Sequence, residues 1–148
     1  MAEALLALHL IGVALWLGSN VSMGLGSSRA EGQSAETNAW WAETQGFLGK
    51  TLKNVAAVLV LATGIAMVVR KQGGAQFKDA NISLGFLAVI VGAVLGMAVF
   101  GPGCRTIAAA FRSGDTSTAT ATINKLGMVG MIESLVVVVT IFAMVGKW

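Results

Sequence analysis

Residues 4 to 28 contain no Asp, Glu, Lys or Arg, and that uncharged run constrains the fold more than any motif. At 1.5 Å per residue, about 20 helical residues cross the hydrocarbon core of a bilayer. A second such run covers residues 80 to 104, and Glu133 is the one formal charge between Lys125 and Lys147. Residues 54 to 69, between Lys53 and Arg70, are slightly short for a span. Lys50 and Lys53 can snorkel, however, and the helix can begin earlier. The segment LVVVVTIFAMV would suggest a strand in water. In lipid an isolated strand leaves its backbone unsatisfied, so a helix is required. Only 11% of the residues are charged, against about a quarter in soluble domains. The expectation is an all-α, integral membrane four-helix bundle, antiparallel and up-down. It forms one transmembrane domain with helices at approximately 4–26, 52–70, 81–101 and 126–146.

The connections differ in character. Residues 30 to 50, AEGQSAETNAWWAETQGFLGK, read as a loop or as a short interfacial helix between helices 1 and 2. Trp40, Trp41 and Phe47 favour the latter, since indole rings prefer the headgroup level. Gly73 and Gly74 mark the next turn. Phe100–Gly101–Pro102–Gly103 should end helix 3, because proline cannot continue the backbone ladder. A polar, small-residue connection with a helical turn around Thr106–Arg112 should follow it. Lys147 and Trp148 should close the chain at the interface.

Four crossings put both termini on one side. That side, with the 71–79 turn, holds Arg70, Lys71, Lys78 and Lys147, whereas the two longer connections hold Arg29, Lys50, Lys53, Arg105, Arg112 and Lys125. The excess of basic residues in the connections places both termini outside. Glu3 precedes the first apolar run with no basic residue before it, which speaks against a cleaved signal peptide. The net charge of +3 belongs to membrane lipid headgroups rather than to nucleic acid, for which no stripe or motif exists. One cysteine, Cys104, and one histidine exclude an intrachain disulfide and a Cys/His zinc cluster. The absence of tyrosine excludes tyrosyl chemistry.

His9 is the leading chemical candidate. It lies about 7 Å from the bilayer middle, toward the termini, where an ionisable group usually faces a protein interior or polar cavity. A neutral imidazole there can ligate haem iron or copper, or hydrogen-bond a neighbouring helix. Met67 should lie at nearly the same depth as a second ligand; bis-histidine ligation would need a second chain. Glu133 lies about 12 Å from His9 in depth and should be protonated or paired. Ser19 and Asn20 are its expected partners, in a structural lock or a proton relay. Asn20, Ser22 and Asn54 suggest a polar belt. Met23, Met97, Met128, Met131 and Cys104 superficially resemble a soft-metal path, although ordinary packing accounts for them. Ala88, Gly92 and Gly96 form a small-residue stripe suited to close helix contact.

The segment LHLIGVALWLG at residues 8 to 18 resembles the first helix of small bacterial membrane proteins related to the copper-resistance protein CopD. It is similar also to HemJ-type protoporphyrinogen oxidases, and Thr63–Gly64 in LATGIAMVV looks like their second helix. The resemblance implies that His9 is a ligand of haem b or, in a CopD-like setting, of copper. It also implies an α-helical bundle that pairs with itself, while the Ala88/Gly92/Gly96 stripe and the shortage of reactive groups fit a subunit of a larger membrane complex. HemJ-type enzymes are expected to add a lysine in the third helix, whereas here Lys78 precedes that helix. The readings are an accessory subunit, a haem protein of electron transfer, a copper or small-solute transporter, and a divergent porphyrinogen oxidase.

Overall fold

The computed structural model describes residues 2–146, so the expected interfacial placement of Lys147 and Trp148 lies outside the described residues. The described chain is helical, with no strand. Its long helices are α1 (Ala2–Ala30), α2 (Ala35–Val69), α3 (Ala80–Ser113) and α4 (Thr116–Gly146). All four are long and apolar enough to cross a membrane. Their outward surface supports that reading. Val58, Ile90, Leu135, Phe142 and Val145 are all more than half exposed, an arrangement that water would penalise and lipid tolerates.

All four helices are longer than the sequence pattern alone indicates, α1 the least so. α2 has 35 residues and α3 has 34, about 50 Å each, against about 30 Å for a hydrocarbon core. The segment Ala35–Leu48 is the first part of α2, and α4 begins ten residues before Leu126. Ser34 caps α2, its hydroxyl accepting from the amide of Thr37 at 3.2 Å. The extensions have their own small core, in which Ala39 and Ala42 of α2 meet Ile107 and Ala108 of α3, flanked by Phe111, Ile123 and Leu126. Outside this core Arg112 pairs with Glu43 at 2.7 Å, and the guanidinium holds the Glu43 carboxyl below its ordinary range.

Gly101–Pro102–Gly103 does not stop helix 3, contrary to expectation. Gly96–Phe100 forms a wide π turn, in which the amide of Gly101 reaches back to the carbonyl of Gly96. Pro102 then sits at the start of the resumed helix. There its missing N–H is harmless, and the widened turn relieves the ring's clash with the preceding carbonyl. α2 carries a matching π turn at Gly49–Lys53, and the two wide turns touch. α3 finally ends at Gly114, whose φ of 78° suits a residue without Cβ. The amide of Asp115 returns to the carbonyl of Ala110 at 2.9 Å.

Close contacts fix which residues share a level. On α1 and α2, His9 meets Thr63, Gly12 meets Val60, Met23 meets Gln45 and Gly26 meets Trp41. Numbers rise on one helix as they fall on the other. The same holds for Gly85 with Met144, Gly92 with Glu133 and Gly103 with Leu126, on α3 and α4. A second interior cluster joins Trp16, Ala56 and Val89, with Leu15, Val60 and Val137 packed around it.

Candidate functional site

α1 places His9 and Trp16 on one interior face, two turns apart. His9 is 8% exposed. Its Nδ1 stands 3.1 Å from the carbonyl of Val60 and 3.0 Å from the hydroxyl of Thr63. A carbonyl can only accept, so these partners assign the ring hydrogen to Nδ1. The Thr63 hydroxyl in turn donates to the carbonyl of Leu59, which leaves its lone pair for the imidazole. In the neutral ring Nε2 then carries the free lone pair, and it makes no hydrogen bond with the described residues. Gly64 packs against the ring, where a Cβ would stand 3.5 Å from Cε1. Met67 lies half-buried one turn beyond Thr63, while Met144 is committed to the hollow at Gly85.

The second polar level is charged. Glu133 of α4 is 4% exposed; its Oε1 accepts from the indole Nε1 of Trp16 at 3.0 Å. The ammonium of Lys53 donates to both carboxylate oxygens, at 2.8 Å and 3.0 Å, and stands 4.7 Å over the ring of Phe100. All four helices contribute, because Gly92 of α3 leaves the hollow that receives the Trp16 indole; a Cβ there would lie 2.3 Å from Cζ2. Lys53 and Phe100 are the last residues of the two wide turns, local distortions that often mark functional positions.

This arrangement corrects two expectations. Lys53 does not snorkel to the headgroups, since its side chain is drawn inward and is 13% exposed. Ser19 and Asn20 do not bond Glu133: Ser19 donates to the carbonyl of Trp16 at 2.7 Å, and Asn20 donates to Ser134 at 3.0 Å. The ammonium and the indole already occupy the carboxylate, so the two residues flank the charge instead of binding it. Lys53 was legible only as a helix-end lysine. The clue was depth, because it starts α2's apolar run at the same side of the membrane toward which Glu133 is displaced.

The other sequence candidates fall apart spatially. Ser22 and Asn54 are exposed, so no polar belt joins them to Asn20. Met97, Met128 and Met131 are exposed, and Cys104 is buried in the α2–α3 contact beside Gly46. Among the described residues no group of three His, Cys, Asp or Glu side chains converges as a metal site. The expected stripe is also redistributed. Gly92 receives a side chain rather than a backbone, Gly85 receives Met144, Ala88 is half-buried, and Gly96 faces open space.

The chemistry these groups permit is limited but specific. In its neutral form His9 offers an oriented nitrogen base. Glu133, Lys53 and Trp16 form a buried, hydrogen-bonded ion pair that ties three helices together. Compared with protein-family models, with curated proteins and with solved structures, the chain matches none.

Proposed function

We propose that the chain is a small accessory subunit of the bacterial cytoplasmic membrane that binds haem b through His9 and serves electron transfer. In this reading the helices form an antiparallel up-down bundle with both termini outside, and Ala35–Leu48 begins at the headgroup level before entering the bilayer. The observation that carries it is the state of His9. A histidine that ligates iron commonly donates its other nitrogen to a carbonyl or carboxylate, which fixes tautomer and ring orientation. Nδ1 does this with Val60 and Thr63, and Nε2 is left unengaged.

Haem b would supply one-electron chemistry when bound. This chain's part is to hold the Nε2 lone pair still and to keep water from it. Met67 as the second ligand would require a porphyrin wedged between α1 and α2 near the seat of Gly12 against Val60. A ligand from a second copy, or from a larger membrane complex, avoids that separation. The test is an absorbance spectrum of gently purified, haem-supplemented protein. A Soret band that disappears in His9→Ala, with helicity unchanged, supports the proposal; colourless protein overturns it.

A second reading, small-solute or proton transport, draws on the Lys53–Glu133 pair, since charged residues at such depth often mark ion pathways. Nothing in the residue arrangement favours copper over other cargo. A porphyrinogen oxidase reading would have to employ Lys53 on α2, which Glu133 already engages. Equal proton flux through vesicles with and without the protein would eliminate transport.

A further inference from the structure

Between α3 and α4, where both apolar runs give way to polar sequence, lies a cavity of about 260 Å³. Its lining combines the apolar Val99, Pro102 and Leu126 with the polar Thr106, Thr122 and Lys125. We propose that this cavity is a binding site for an anionic phospholipid. Its phosphate would be held by Lys125 and the two threonine hydroxyls, and the start of its acyl chains would lie along Val99, Pro102 and Leu126.

The order of residues gives the site its direction. On α3, Val99 and Pro102 precede Thr106 toward the end of the apolar run; on α4, Thr122 and Lys125 precede Leu126, where the apolar run begins. Gly103 abuts Leu126, so the two sequences are aligned and their apolar parts face the same way. A phospholipid at a bilayer surface has the same order, charge outward and hydrocarbon inward.

Charge selects the headgroup. Lys53 and Arg112 are both engaged by carboxylates, whereas Lys125 has neither an ion pair nor a hydrogen bond among the described residues. No acidic side chain lines the cavity. Thr106 makes no side-chain hydrogen bond there, and Thr122 donates only within its own helix, to Thr118 at 2.8 Å. One cation with two hydroxyl groups suits a phosphate diester. A choline headgroup would bring a second cation toward Lys125, and free phosphate would leave the apolar lining unfilled. The inference rests on the placement of the four helices across a membrane and is independent of haem.

Native mass spectrometry of protein released from membranes with equal phosphatidylglycerol and phosphatidylcholine tests it. One phosphatidylglycerol should be retained in preference. Lys125→Gln should weaken that retention about fivefold, the effect of one basic residue near an anionic surface. Thr106→Val should weaken it in the same direction, and Lys78→Gln, in the 70–79 turn, should leave it unchanged. Equal retention of both lipids overturns the proposal, as does a Lys125→Gln protein that keeps its preference. Inorganic phosphate bound in a Lys125-dependent way without lipid preference would identify a soluble anion site and overturn the lipid assignment. Alkaline carbonate extraction separates the two premises. Protein that stays in the membrane without lipid preference refutes the lipid site alone, and protein released by carbonate refutes the membrane placement as well.

Discussion

Removing one partner of the Lys53–Glu133 pair should cost far more than removing both. In Glu133→Gln the ammonium of Lys53 loses its counter-charge. In Lys53→Met the carboxylate, 4% exposed, keeps only the Trp16 indole. Breaking a buried pair from one side typically costs about 3–5 kcal/mol. Because the Lys53 side chain is 13% exposed and can turn toward the headgroups, Glu133→Gln should lie nearer about 2–3 kcal/mol. The double variant removes both charges, and a methionine beside a neutral amide in an apolar interior should restore much of the loss. The coupling energy should therefore be at least about 2 kcal/mol, roughly thirtyfold in the unfolding equilibrium. Unfolding in mixed micelles with rising dodecyl sulfate, followed by far-ultraviolet circular dichroism, reads all four proteins on one scale. Additivity within about 0.5 kcal/mol would refute the claim that Lys53 and Glu133 act as a unit.

Other consequences follow from single atoms. Gly92→Ala places a methyl group 2.3 Å from the Trp16 ring and should destabilise by about 1–3 kcal/mol through overpacking. Gly96→Ala meets nothing within 4 Å and should stay within about 0.5 kcal/mol of the parent; a reversed ranking in the same assay would contradict the packing described. Arg112→Gln should return the Glu43 carboxyl upward to its ordinary range, as followed by carbon-13 shifts, because the guanidinium is what depresses it. The sign follows from that depression. The pair's small contribution is present above the ordinary glutamate pKa and fades as pH falls through the lower folded value. Thr63→Val removes one of the two acceptors at Nδ1 and, if His9 ligates haem, should broaden or shift the Soret band without abolishing it.

The small core of the α2 and α3 extensions was partly visible in the sequence. Cys104, Ile107, Ala108 and Phe111 recur at helical spacing, as do Ala39, Ala42 and Gly46, and these residues meet in the α2–α3 contact. The weight given to Gly–Pro–Gly as a stop concealed that pattern, because a proline excludes an α turn and says nothing against a π turn placed before it. His9 as an interior residue could be read from its surroundings alone. Its tautomer could not, since that depends on which carbonyl α2 brings to Nδ1.

What the sequence by itself determined is the number of apolar helices and the rough position of each. Spanning is set by local length and hydropathy, and a backbone in lipid has no other way to satisfy its hydrogen bonds. Tertiary structure alone decided where each charge went. Whether Lys53 turns to water or to Glu133 depends on a partner 80 residues away in the chain, on the glycine that makes room for Trp16, and on two wide turns that meet at one level. A lysine at a helix end has both options in every sequence, and only the packing of the other three helices makes the inward one favourable.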